Sequence, residues 1–315
     1  CSNNQPPQQQ SATTAHNQPL QQQQQSTTTT TINMKREFHM KIDLKKSLYS
    51  TFASALIIGG LATSATAAEI MAPSSLANKG QLTYAVAATF APFEYMENGK
   101  LTGFDIDMIT EISKRMGLEP NPMNMEFKGL IPSLQGKRAD IINSGMYIKP
   151  ERAAVVDFVP YMRVGNQLVV AAGNPKNIQG QEDLCGLKVA VTLGGFQEGL
   201  AKEQSGKCVA AGKKATEVLT YPSAQDAALV LKQGRADAIF NSTPGAVKQV
   251  TALPDSYAIG GNSFGPYFLV GFAVRKGESE TKKALEAGLK SIQADGTFDG
   301  LLMKYKFPLE AKNLN

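Results

Sequence analysis

The sequence predicts an α/β protein of two lobes, and three observations carry that prediction. From residue 81 short apolar strand-like runs alternate with helical patterns. The alternation restarts at LKVAVTLGG, residues 187–195, so a second unit of the same kind begins there. The residues ahead of this pattern read as a polar tract and an export signal, which leaves the folded part to the remainder.

Residues 1–39 hold QPPQQQ and QQQQQSTTTTT without apolar periodicity. Such a tract cannot bury enough surface to offset the entropy of ordering it, and disorder is expected. Residues 40–68 then show the three parts of a secretory signal peptide. Lys41, Lys45 and Lys46 precede an uncharged stretch, its apolar heart at 52–61, and the small residues Ala65, Thr66, Ala67 and Ala68 close it. The apolar run is about ten residues, where a membrane span needs roughly twenty, so cleavage after Ala67 or Ala68 is expected rather than anchoring. Translation is expected to start at Met40 or Met34.

Export fixes much of the chemistry. The net charge is +5, and removing residues 1–68 leaves 27 basic against 25 acidic residues, which does not describe a nucleic-acid surface. The same cut takes His16 and His39, the only histidines, and with them every His-based triad and His-ligated metal site. No metal, cofactor or catalytic residue is expected. Cys185 and Cys208 remain in an oxidising compartment. A bridge between them closes a loop of about 24 residues and stabilises by roughly 3 kcal/mol; two buried free thiols are the alternative.

In the first half LTYAVAA reads as a strand, and GFDIDMITEISKRM as a strand-to-helix junction with Met108, Ile109, Ile112 and Met116 at helical spacing. Asp105 and Asp107 sit where that helix starts and are expected to cap it and fix the adjoining loop. A short helix is expected at 130–135, then strands at 139–146 and 168–172. In the second half strands fall at 187–195, 217–223 and 236–241, with helices from Gln197, over 223–234 and from Thr243. The close is a strand at 268–277, a long amphipathic helix over 278–300, and a Gly-punctuated turn before a last apolar turn in ADGTFDGLLMKYKF. Two such lobes with ligand at their facing strand ends make a cleft.

The order APFEYMENGKLTGFDIDM, FKGLIPSLQGKRADII, IKPERAAVVDF and ADGTFDGLLMKY resembles the bacterial extracellular solute-binding proteins of family 3, the amino-acid-type receptors of ABC importers. The resemblance spans about residues 80–307, with Ser113 standing where the family signature has a small apolar residue. It implies a periplasmic-binding-protein fold whose lobes, at 69–163 plus 264–315 and at 166–261, are linked by two hinge strands near 163–166 and 261–263. It also implies a monomer in the periplasm that closes over a small carboxylate-bearing solute, amino acid or amino-acid-like, and delivers it to a permease in the inner membrane. An enzyme is the opposing class, because some relatives of this family are periplasmic dehydratases of cyclic carboxylic acids.

The same resemblance assigns roles. Arg152 would fork onto the solute carboxylate, a task suited to paired guanidinium donors. Phe90 and Phe127 would cover the solute's two faces. Gly145 and Tyr147 would bind carboxylate and amine, Tyr147 standing where Ser or Thr is usual. Gly194 and Gly195, in the turn TLGGFQEG, would present backbone N–H groups at a helix N-terminus, and Phe196 replaces a small or hydroxyl residue there. Ser242 departs most: the family places an aspartate here against the solute ammonium, and a buried ammonium without a counter-charge is costly. Either Glu94 or Glu198 compensates, or the solute is not an ordinary α-amino acid, and the second reading is favoured.

Overall fold

The computed structural model describes residues 70–314, so the polar tract and the signal peptide lie outside the described residues. The apolar run after Gly80 forms β1 (Gln81–Val86), five of whose six residues are buried. Three short antiparallel strands follow, β2 (Thr89–Phe90), β3 (Glu94–Glu97) and β4 (Lys100–Thr102). Helix α1 (Phe104–Arg115) then buries Phe104, Met108, Ile109 and Ile112, the face that the spacing predicts. It starts at Gly103 with φ 132°, where a Cβ would collide with the Phe93 carbonyl oxygen, so only glycine fits.

Strand β5 (Glu119–Asn124) was not expected, because its sequence EPNPMN has two prolines. It is an edge strand paired only to β1, and Pro120 and Pro122, two residues apart, turn the same backbone side away from the ladder. Helix α2 (Leu130–Gln135) falls where predicted. The expected strand at 139–146 shrinks to β6 (Ile141–Ile142), since the residues after it leave the sheet as a loop. Helix α3 (Pro150–Ala153) carries Arg152 into β7 (Val156–Ala171).

The second half runs β8 (Lys188–Thr192), α4 (Phe196–Ala210), β9 (Glu217–Tyr221), α5 (Ala224–Lys232), β10 (Ala238–Ser242) and α6 (Thr243–Ala252). The chain returns through β11 (Tyr257–Arg275), and the long C-terminal helix breaks at Asp295–Gly296 into α7 (Ser279–Ala294) and α8 (Thr297–Lys304). Cys185 and Cys208 are disulfide-bonded, their Cα atoms 5.4 Å apart, which ties the segment before β8 to the end of α4.

The sheet order is β5-β1-β6-β11-β7-β10-β8-β9. Its middle pair, β7 and β11, belongs to both lobes. Val156–Val164 of β7 pairs with Phe268–Arg275, and its distal end pairs with Tyr257–Phe264. The register slips on either side of Phe264, between the two stretches. One lobe hangs its strands on β11 through β6, the other on β7 through β10. Each has its own core: Leu82, Phe104, Ile112, Phe272 and Leu285 in one, Leu168, Val191, Phe240 and Val169, Leu231, Ile239 in the other. Among the described residues no helix is long and apolar enough to cross a membrane.

Candidate functional site

The loop that follows β6, residues 143–147, is held from below by acids. Gly145, at φ 43°, donates its N–H to Asp105 Oδ2 at 2.7 Å, and Asn143 Nδ2 donates to the Asp105 carbonyl at 2.9 Å. Tyr161 Oη donates to the same carboxylate at 2.8 Å. Ser144 Oγ donates to Glu94 Oε1 at 2.8 Å and accepts the Ala87 N–H at 3.0 Å. Both acids are fully buried. Burial first, and then the charge of Asp105, hold Glu94 well above the usual carboxylate range. Burial likewise pushes Asp105 up to about 6, against the stabilising hydrogen bonds from Gly145 and Tyr161.

This corrects two expectations. Helix α1 has no side-chain cap, so Asp105 fixes the loop without capping the helix, while Asp107 pairs with Lys304 Nζ and Tyr305 Oη, each at 2.6 Å. Glu94 is turned into the core beneath the loop and cannot meet a solute ammonium.

Above the loop a cavity of about 50 Å³ lies between the lobes. Phe90, Phe127, Gly145 and Tyr147 line it from one side, Thr192, Gly195, Phe196, Gln197 and Asn241 from the other. It holds a few water molecules at most, so a solute of amino-acid size needs the lobes to part. Phe90 covers Gly145 so closely that a Cβ there would stand 2.9 Å from its ring, and it stacks on Phe93 at 5.1 Å. Tyr147 and Phe196 stack face to face at 4.5 Å with 6° between planes, and Phe268 packs on Phe196 at 4.5 Å. The Tyr147 hydroxyl and Gln197 Nε2 are buried next to each other, and neither has another hydrogen-bond partner.

Arg152 is 5% exposed and sits with its guanidinium 5.1 Å from the Phe127 ring centre. Nη1 donates to the Tyr147 carbonyl at 2.8 Å, and Nη2 donates across the cleft to the Gly194 carbonyl at 2.9 Å. Neither acceptor carries a charge, and burial pulls the guanidinium pKa down to about 10. A buried cation with only carbonyl partners is prepared for an anion.

The turn after β8 spends its first donors internally. Gly194 N–H goes to Glu198 Oε2 at 2.7 Å and Gly195 N–H to the Thr192 carbonyl at 3.0 Å. Helix α4 begins at the cavity without a side-chain cap, so its first-turn N–H groups point to this end. Glu198, the other acid considered for an ammonium, bonds Gly194 and Lys202 instead.

Ser242 is fully buried and its Oγ accepts the Gly245 N–H at 3.1 Å, capping α6 outside the cavity lining. The residue at the cavity is Asn241, which the sequence reading missed. Strand alternation was the available signal: neighbouring residues of β10 face opposite sides, so one of the pair caps and the other looks into the cleft. Asn241 is fixed by Nδ2 donating to Gln249 Oε1 at 3.1 Å and by Oδ1 accepting the Ser242 N–H at 2.8 Å.

A larger hollow of about 490 Å³ lies beside the paired strands, bordered by Tyr95, Lys248, Tyr267 and Tyr305. Lys248 there bonds Tyr95 and Lys304 pairs with Asp107, whereas the smaller cavity retains unpartnered polar atoms.

Known proteins resemble this chain along most of its length. The model of the bacterial extracellular solute-binding proteins, family 3, matches residues 82–308. The L-cystine-binding protein TcyJ of Escherichia coli (strain K12) is 30% identical over 268 residues, 83% of this chain and 95% of that one. Among solved structures, an ancestral arginine-binding protein bound to arginine is 37% identical with a TM-score of 0.66, over 72% of this chain and 98% of that one. The ancestral amino acid-binding protein AncCDT-1, a precursor of cyclohexadienyl dehydratase, is 34% identical with a TM-score of 0.65, over 72% and 95%.

Proposed function

The chain belongs to the bacterial extracellular solute-binding proteins of family 3, and from that membership we propose that it is the receptor of an ABC importer for a small carboxylate-bearing, amino-acid-like solute. The solute enters between two lobes, residues 69–163 plus 264–315 and residues 166–261. They turn about hinges near 163–166 and 261–263, where the register of the long strands slips. The closed pair is then presented to a permease. Export by cleavage of the 40–68 signal goes with this reading.

One observation carries the proposal: Arg152 is buried at the cleft with carbonyls for partners and no acid, and its Nη2 already reaches from one lobe to Gly194 of the other. A solute carboxylate replaces those carbonyls with charge-assisted bonds, favouring the closed state over the open one. Phe90 and Phe127 flank the solute body, Tyr147 and Gln197 supply polar atoms with no partner beyond each other, and the α4 N-terminus adds backbone donors. The dehydratase reading gives the acid's task to Glu94, Glu198 or Tyr147; neither carboxylate lines the cavity, and Tyr147, which does, is a phenol whose burial holds its proton tightly.

The test is substitution of the guanidinium. Arg152→Ala should weaken solute binding at least a hundred-fold, read by titration calorimetry, while circular dichroism stays unchanged. Equal affinity in the variant sinks the site assignment.

A further inference from the structure

We infer that the cleft selects monoanionic carboxylates, solutes whose 2-substituent is uncharged, over zwitterionic and cationic amino acids, and that Asn241 sets this preference. The inference rests on the solute-binding reading above and names the substrate class of that same site.

Charge is the first ground. Arg152 does not itself line the cavity but stands directly behind its Phe127 wall and beside Gly194, one buried positive charge at the cleft, and no acid among the described residues lines the cavity. The acids nearby face other ways: Glu94 and Asp105 lie under the 143–147 loop, where Glu94 Oε2 stays unpartnered, Glu126 pairs with Lys128, Glu198 pairs with Lys202, Asp226 accepts from Ser223, and Glu151 is exposed on α3. The other ionisable groups facing this end, Lys128 and Lys149, are cations, Lys149 held below its usual value by burial and by Arg152. A monoanion therefore leaves the closed cleft neutral at Arg152. A zwitterion leaves one uncompensated positive charge out of water, and a cationic amino acid leaves two.

Hydrogen bonding is the second ground. Tyr147 Oη and Gln197 Nε2 are buried, line the cavity and have no partner beyond each other, so the amide keeps a donor for an acceptor oxygen of the solute. A hydroxyl or carbonyl oxygen on the solute meets that need; an ammonium, which has no acceptor, does not. Ser242 cannot serve the ammonium because its hydroxyl is used at α6. At Asn241 the Oδ1 accepts the Ser242 N–H and carries no charge, so the position offers a neutral amide where a carboxylate would hold an amine. The rings of Phe90, Phe127 and Phe196 suit an apolar or aryl body.

A matched pair tests this, because L-phenylalanine and 2-hydroxy-3-phenylpropionate differ in charge and scarcely in shape. Titration calorimetry at pH 7 should show the hydroxy acid binding at least ten-fold tighter, with L-arginine weakest. The affinity for L-phenylalanine should rise as the pH is raised until its ammonium loses its proton. Asn241→Asp should reverse the order of the pair by ten-fold or more, while Asn241→Ala, which removes the amide without adding charge, should not. Tighter Arg152-dependent binding of either amino acid to the wild-type protein overturns this inference and leaves the receptor reading standing. If matched amino and hydroxy acids across the aliphatic and aryl series all fail to bind, both readings fall.

Discussion

Asp105 shows how one residue can serve a motif without the task that its position implies. At the second residue of α1 an aspartate is usually read as favouring the helix N-terminus, yet this one is fully buried and spends its oxygens on Gly145 and Tyr161. Its pKa of about 6, raised above the ordinary 3.8 by burial, has a consequence for stability. Below pH 3.8 the group is protonated folded and unfolded alike. Between there and 6 the folded form retains a proton that the unfolded chain has released, so stability falls as pH rises, by on the order of 3 kcal/mol once both forms are ionised. Asp105→Asn keeps an acceptor for the Gly145 N–H and removes this titration. Its melting temperature should therefore change less between pH 4 and 7 than that of the wild type, with the residual slope belonging to the other shifted carboxylates, Glu94 and Asp140 among them; parallel profiles would count against the assignment. The sequence points to Ser242, whereas in the fold Ser242 caps α6 and Asn241, one position earlier, lines the cavity. Spacing along a strand says that neighbours face opposite ways, but not which of the two faces inward.

At the scale of elements, apolar periodicity located the helices well and the strands less well. Helix α1 buries the face that Met108, Ile109 and Ile112 outline. Strand β5 was hidden because prolines argue against a strand, and an edge position is what admits them. Strand β6 was read too long because Asn143, Ser144 and Gly145 continue an extended-looking run, while their hydrogen bonds go to distant acids. Helix α6 gives the test at this scale. Ser242→Ala should cost about 1 kcal/mol in chemical denaturation through the lost cap, and should change solute affinity less than either substitution at Asn241. A larger effect on affinity than on stability would return Ser242 to the site.

The whole molecule joins two separately cored lobes by two long strands, and the cleft depends on both. Arg152 comes from α3 and its Nη2 partner Gly194 from the turn after β8, so the binding groups meet only when the lobes do. Ligand then acts on the closed state as a whole. At a concentration a hundred times its dissociation constant, solute should raise the unfolding free energy by about 2.7 kcal/mol. Denaturant titrations with and without solute measure this gain, which Arg152→Ala should cut to about 0.4 kcal/mol or less. Equal gains in both proteins would place the ligand elsewhere. The disulfide joins the segment before β8 to the last turn of α4 and braces the helix whose N-terminus meets the cavity.

The sequence by itself determined the class of fold, the restart that makes two lobes, the disulfide pair and the family, because these rest on local periodicity and on motifs in order along the chain. Only the tertiary structure decided which polar groups remain for a solute. Glu94, Glu198 and Ser242 were all chemically able to meet an ammonium. Glu94 is carried beneath the loop by Ser144, fifty residues away, which local pattern does not reveal; Glu198 bonds Lys202 and the Gly194 N–H, and Ser242 accepts the Gly245 N–H, contacts within one helical turn that local pattern permits and only the fold shows to be made. Hydrogen bonding is a matter of position in space, and an acceptor turned to a partner within the fold no longer faces a ligand.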